Sequence, residues 1–282
     1  MTYQFLAAAG RTSVKQFLFA ALPSFSRFAL RQAAADGACR VDGEVVPASY
    51  RLREGQVVEF TLEPEAQRTI LAEELPLVIL YEDEAIIGLN KAPGMLVHPT
   101  SRERSGTVAN ALLGHWRGEK RRPTFPHRLD RETSGVLLVA KDAQAATSLS
   151  IQFEQRRVKK EYVALVTGAV MEAREIDAPI GRVGGEEPPW QVRSEGKASV
   201  SRLPPLGLQG DRTLVQLEPV TGRTNQLRIH CAWIGHPIVG DRLYGRSEEG
   251  RLWLHARRLT FAHPRGGHSM TLDAGIMRVN DY

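Results

Sequence analysis

Pro126-His127-Arg128-Leu129-Asp130-Arg131-Glu132-Thr133-Ser134-Gly135 runs directly into Val136-Leu137-Leu138-Val139-Ala140. The apolar run predicts a β-strand, and the polar decapeptide before it predicts the loop that delivers a side chain to the strand's start. That loop sets one acid, Asp130, among His127, Arg128 and Arg131. Opposite charges at close range favour the charged form of a carboxylate, which makes Asp130 a candidate nucleophile or base. Taken alone, an R-x-D-R motif reads more often as a solvated aspartate capping a turn. Here it has company. Downstream stand Arg157-Val158-Lys159-Lys160-Glu161-Tyr162-Val163-Ala164-Leu165-Val166 and Pro219-Val220-Thr221-Gly222-Arg223-Thr224-Asn225-Gln226-Leu227-Arg228-Ile229-His230.

In this order, the HRLDRETSG, KxYxALVxG and TGRTxQLRIH elements resemble the RluA family of RNA pseudouridine synthases. Asn90-Lys91-Ala92-Pro93-Gly94 with Val97-His98-Pro99, and Gly235-His236-Pro237-Ile238-Val239-Gly240-Asp241 with Leu243-Tyr244-Gly245, fit the same pattern. The resemblance spans roughly residues 76 to 275. It implies a mixed sheet with the active site in a central cleft, and a reaction that needs neither metal nor redox cofactor. It assigns Asp130 as the catalytic carboxylate, acting at C1′ or at the 2′ position. Tyr162 aligns with the family's active-site tyrosine, whose ring can stack on a flipped base and whose hydroxyl can assist proton transfer. Arg228 aligns with the arginine that ion-pairs the catalytic acid, with a bidentate guanidinium orienting Asp130. Leu227 and Ile229 would pack near the base. Arg131 and Thr133, with Ser134, would shape the loop carrying Asp130, while His127 and Arg128 would touch RNA or loop backbone. Two positions depart from the pattern: Asn225 stands where histidine is more common, and Ala92 where proline often precedes the glycine.

Composition sets the outer limits. A chain of 282 residues suits two domains, and 42% hydrophobic with 24% charged residues reads as globular. No apolar run approaches the roughly 18 residues of a membrane span, and the N-terminus has no basic lead of a secretory signal. Cys39 and Cys231 are the only cysteines. They lie far apart without metal-ligand spacing, which suits a reducing compartment without disulfide or zinc. The expectation is a cytoplasmic monomer. Net charge is +5 and the sequence pI about 9.4. Arg117, Lys120, Arg121, Arg122, Arg128 and Arg131 cluster across the Asp130 segment, as docking of a phosphate backbone requires. The expected partner is structured RNA holding the target uridine, ribosomal RNA ahead of transfer RNA.

The expected fold class is α+β. Residues 1–62 form a small domain, 63–76 an acidic linker, and 77–282 the catalytic domain. In the first, apolar residues from Thr12 to Leu30 recur at helical spacing and are broken by Pro23, predicting two short helices. Asp42-Gly43 between short apolar runs predicts a hairpin, and Val57 to Phe60 a further strand. This order resembles the ribosomal S-four-type RNA-binding domain, although Arg11-Thr12-Ser13 replaces that family's usual Arg-Leu-Asp opening. The resemblance places Arg27 and Arg31 on RNA; the plainer reading is an appendage packing on its neighbour. Beyond the linker, β-type runs at 78–81, 85–89, 135–140, 162–166 and 213–217 are interspersed with helical patterns at 107–115, 143–155 and 225–233, and Gly181 to Pro189 reads as a loop. Elements do not alternate strictly, which favours a mixed, largely antiparallel sheet over a doubly wound one. Two other functions compete: a catalytically silent RNA-binding or ribosome-assembly factor, and a hydrolase pairing Asp130 with His127 or His230.

Overall fold

The computed structural model describes residues 2–7, 12–22, 30, 33–61, 70–100, 103–185, 187–245 and 250–276. The chain separates into two compact units, Met1–Ile70 with Thr100–Arg104, and Leu71–Pro99 with Ser105–Tyr282.

In the first unit, strands β1 (Thr2–Leu6), β2 (Cys39–Val41), β3 (Glu44–Val45) and β4 (Val57–Thr61) form one sheet in the order β1-β4-β2-β3. Helix α1 (Val14–Ala21) begins at Ser13, whose side chain caps the Gln16 amide while Gln16 reaches back to the Ser13 amide, a reciprocal cap satisfying two otherwise orphaned donors. Val14 and Leu18 of α1 are buried with Val41, Val58 and Phe60. The hairpin turns at Asp42 and Gly43, both at positive φ (51° and 85°), as a tight right-twisted hairpin requires. Strand β1 was not anticipated: the N-terminal apolar patch pairs antiparallel with β4. Most of the expected second helix, with Arg27 and Arg31, lies outside the described residues.

The division between units falls inside the acidic stretch 63–76. Its second half is anchored on helix α2 (Val108–His115): the Asn110 side-chain amide donates to the Leu71 carbonyl at 2.9 Å and the Glu73 amide to the Asn110 carbonyl at 3.0 Å.

The second unit is built on a ten-stranded sheet of order β5-β6-β7-β15-β8-β14-β12-β9, with β13 paired to β14 and β16 to β15. These are β5 (Ile79–Glu82), β6 (Ile86–Lys91), β7 (Ser134–Ala140), β8 (Lys159–Thr167), β9 (Arg174–Asp177), β12 (Val200–Leu203), β13 (Pro205–Gln209), β14 (Arg212–Pro219), β15 (Leu254–Ala262) and β16 (Ser269–Asp273). A separate hairpin joins β10 (Ile180–Arg182) to β11 (Trp190–Val192), partly inside the stretch read as loop. The mixed α+β architecture holds, largely antiparallel: among the described residues only β7 and β15 pair in parallel.

Strand β7 is buried throughout, and apolar from Val136 on, because both its faces are covered. Val136, Leu138 and Ala140 join one cluster with Ala145 and Leu149 of helix α3 (Ala143–Glu154), while Leu137 and Val139 join another with Val108 and Leu112 of α2. Alternation of side chains across a strand delivers this division. Where β7 begins, Gly135 has φ +108°, and a Cβ there would lie 2.2 Å from the Ala256 carbonyl oxygen. Only glycine lets β15 come this close. Helix α4 (Gln226–Trp233) packs against β11, β12 and β14.

Candidate active site

The loop bearing Asp130 is held by its backbone. Lys91, at the end of β6, is 2% exposed, and its ammonium donates to the carbonyls of Ala92 (2.7 Å), Met95 (2.9 Å) and Arg131 (2.9 Å). Burial pulls the Lys91 pKa down to about 8, yet three carbonyl acceptors use all three N–H bonds that only the charged form has. The Gly94 amide also donates to the Arg131 carbonyl (2.9 Å), and the Thr133 amide to the Asp130 carbonyl (3.1 Å). This loop therefore cannot drift from the sheet, while the half-buried Asp130 carboxylate receives no hydrogen bond from any described residue.

His127 is the loop's other fixed point. Its Nε2 accepts from the Leu138 amide at 2.9 Å, and its ring stacks on Phe153 with centroids 4.8 Å apart. Burial, then the nearby Lys160 charge, push its pKa down to about 3. A neutral ring with that nitrogen engaged is a peg rather than an acid or base.

Tyr162 stands in the middle of β8, opposite Leu217 of β14 and Ala256 of β15. Burial and the Asp130 charge push its phenol upward, so the hydroxyl keeps its proton at neutral pH. Arg228, near the start of α4, differs from expectation. Its bidentate partner is Asp241: Nε donates to Oδ2 at 2.8 Å and Nη2 to Oδ1 at 2.7 Å. Asp241 is buried and also accepts from the Leu243 and Tyr244 amides, both at 3.0 Å. The guanidinium lies 5.1 Å from the Tyr244 ring centroid. Burial opposes the Arg228 charge, but Asp241 outweighs it, aided by Asp130, and the pKa rises. Asp130 thus acts on Arg228 as a neighbouring charge, and the fork that sequence reasoning gave to Asp130 is taken by Asp241.

The segment before α4 is tied together internally. Gln226 Oε1 accepts from the Thr221 hydroxyl (2.7 Å) and the Arg223 amide (3.0 Å), while its amide nitrogen donates to Ser201 (2.9 Å). Ser201 bonds His230 Nδ1 at 2.9 Å, and His230 Nε2 donates to the Ala178 carbonyl at 3.0 Å. With both nitrogens of His230 engaged and His127 held neutral, the hydrolase reading loses its histidine. Asn225 caps α4 in the left-handed conformation (φ 53°), which asparagine tolerates better than most residues, and donates to the Tyr244 hydroxyl at 3.1 Å.

One cleft of about 780 Å3 gathers these residues. It is lined by His127, Arg128, Asp130, Thr133, Tyr162, Leu227 and Arg228 from the sequence-derived set. Arg131 and Ile229 do not line it: Arg131 contributes its carbonyl to the loop's anchorage, and Ile229 is buried at 4% exposure. Arg27 and Arg31 lie outside the described residues. The cleft carries seven cations, Arg128, Arg156, Lys159, Lys160, Arg202, Arg223 and Arg228, against three acids, Asp130, Glu154 and Glu218, a balance suited to a polyanion. Sequence reading missed Lys91 and Asp241 as individuals, although the short motifs containing both were visible. Among the described residues no three His, Cys, Asp or Glu side chains gather to hold a metal ion, and no helix is long and apolar enough to cross a membrane.

Comparison with known proteins gives a single answer. The RNA pseudouridylate synthase family model matches residues 85–233. The chain is 37% identical over 274 residues to an uncharacterised RNA pseudouridine synthase of Bacillus subtilis, covering 93% of this chain and 90% of that one. It is 36% identical over 272 residues to the ribosomal large subunit pseudouridine synthase D of Pseudomonas aeruginosa, covering 90% and 85%. Among solved structures, human RNA pseudouridylate synthase domain containing 1 superposes with a TM-score of 0.62 at 32% identity, over 76% of this chain and 86% of that one. Three motifs meeting in one cleft and relatives matched over most of their length lead to one assignment: the chain belongs to the RluA family of RNA pseudouridine synthases and is an isomerase of uridine in RNA.

Proposed function

We propose that this enzyme converts a specific uridine of large-subunit ribosomal RNA to pseudouridine, with Asp130 as the catalytic carboxylate and Tyr162 and Arg228 beside it. One observation carries the assignment of roles: Asp130, Tyr162 and Arg228, from three separate motifs, line the same cleft, and the Asp130 charge acts on both partners. The reaction breaks the bond from ribose C1′ to N1, turns the base, and joins C5 to C1′; C5 gives up its proton and N1 ends protonated, so that product and substrate are isomers. A single carboxylate serves it, either at C1′ or at the 2′ proton. Arg228 supplies fixed positive charge next to that carboxylate. Tyr162 offers a stacking face and a hydroxyl that keeps its proton, which makes it a hydrogen-bonding relay rather than a base. The target uridine must leave its stack at a cost of a few kcal/mol. Stacking on Tyr162, at about 1–3 kcal/mol, and the cationic cleft offset that cost.

The ribosomal target rests on the Pseudomonas aeruginosa relative, a ribosomal large subunit enzyme by name. The first unit acts as an RNA grip of the S-four type, through Arg27 and Arg31, and the enzyme works in the cytoplasm as a monomer. The test is to map pseudouridines across total RNA from cells with and without the protein, then restore wild type or Asp130→Asn. The expected result is one site in large-subunit ribosomal RNA that disappears on deletion and returns only with wild type. A lost site in transfer RNA would overturn the target, and restoration by Asp130→Asn would overturn the assignment of Asp130.

A further inference from the structure

Lys160 has no place in the chemistry above, yet it faces the same cleft. It sits two residues before Tyr162 on β8, so both side chains leave the same face of the sheet, roughly 6.6 Å apart along the strand. Two of the cations near it are paired. Lys159 pairs with Glu161 at 2.8 Å, and Arg202 pairs with Glu175 at 2.9 Å. Lys160 is half-buried and has no carboxylate or carbonyl partner among the described residues; its Nζ lies 6.0 Å from the Phe153 ring centroid. Burial lowers its pKa, the mark of a cation held with little solvent and no counter-charge. The wall opposite is Gly222: a Cβ there would stand 3.6 Å from Nζ, in ordinary van der Waals contact, so the ammonium lies beside the backbone of this segment.

We infer that Lys160 is a binding residue for the phosphate adjoining the target uridine. A base stacked on Tyr162 has its own phosphate about one nucleotide's reach away, the distance that two residues of strand supply. The peg beneath fits this use, because His127 and Phe153 stack as a neutral floor under the ammonium. A neutral floor leaves the charge of Lys160 for an incoming anion, and the phosphate contributes the counter-charge that the protein withholds. This assignment rests on the pseudouridine synthase reading and extends it to how the substrate is seated.

The test uses full-length enzyme and total RNA from a deletion strain. Lys160→Met keeps the apolar stem and removes the charge; Lys160→Arg restores a cation. Lys160→Met is expected to fold with an unchanged melting point, to raise KM about tenfold, to retain kcat within about threefold, and to flatten the plot of log KM against log salt by about 0.7, one phosphate contact on a single strand. Lys160→Arg recovers most of both. A second measurement uses a stem-loop around the mapped uridine with a neutral methylphosphonate at its 5′ or 3′ phosphate. One of the two is expected to weaken wild type and leave Lys160→Met unaffected. An unchanged salt slope in Lys160→Met, or equal methylphosphonate losses in both proteins, overturns the proposal. Wild-type turnover on the same RNA keeps failure of this inference distinct from failure of the function itself.

Discussion

Two polar clusters of the second unit differ in how completely the protein satisfies them. At the β5 edge, Glu82 receives Lys141 (2.8 Å), the Trp116 indole (3.0 Å) and His115 (2.8 Å), and these donors outweigh burial to bring its pKa down to about 2. Next to it, Asp83 takes the Ala85 and Ile86 amides (both 2.8 Å), Tyr81 (3.0 Å) and His263 (2.8 Å). In the cleft, by contrast, the Asp130 carboxylate, the Tyr162 hydroxyl and the Lys160 ammonium make no hydrogen bond with described residues. A satisfied cluster stabilises the fold, whereas groups left without internal partners are kept for substrate. Buried polar groups normally find partners, so those held open in a concave site mark where binding energy is to be gained.

Mutations can break this contrast. Asp130→Asn should lower kcat by about 10^4-fold or more, on the order of 5.5 kcal/mol in the barrier, while the urea midpoint stays put because no protein donor is lost. A matching drop in stability would show the carboxylate to be structural. Arg228→Ala should cost about 3–5 kcal/mol of stability by leaving the buried Asp241 without its fork, and activity should fall with it; an unchanged midpoint would place Arg228 in solvent. Lys141→Met, at the satisfied edge, should cost about 2 kcal/mol with kcat/KM unchanged, and a selective loss of turnover would erase the distinction between the clusters.

The last test concerns pH. With the His127 pKa near 3 in the fold against an ordinary 6.5, the unfolded chain binds a proton that the folded one refuses between those values. Stability should therefore fall as pH drops from about 6.5 toward 3, by at most about 1.4 kcal/mol per pH unit. His127→Gln, whose amide oxygen can accept from Leu138, should remove that share of the slope in urea titrations at pH 7 and 4.5. An identical slope in both proteins would mean that His127 charges freely.

Much of the cleft was legible because its chemistry sits in short contiguous motifs: Asp130 among its cations, Tyr162 two residues past Lys160, Arg228 inside the helical pattern. What stayed hidden depended on distance. That Arg228 spends its fork on Asp241 follows from how α4 meets the turn after Gly240, and no local pattern encodes it. Lys91 reads as a charge ending a strand, yet three carbonyls from two loops bury it. Strand β15 was missed because Arg257 and Arg258 interrupt the period-two signal where a bulge shifts its register against β8. Strand β1 was missed because alternation over five residues next to an apolar patch is weak evidence until β4 pairs with it.

Strand β15, hidden in the sequence, holds the two halves of the cleft together. β15 lies between β7 and β8 and joins the strand that follows the Asp130 loop to the strand bearing Tyr162; Ser134 meets His255, 121 positions later, at 2.8 Å. Contacts of such long sequence separation form late, after a large loop-closure cost. A nascent chain translated through β14 already contains Asp130, Tyr162 and the residues that line the near wall, but not the strand that sets them side by side. Removing β15 alone should therefore leave both residues in the chain and the cleft unassembled.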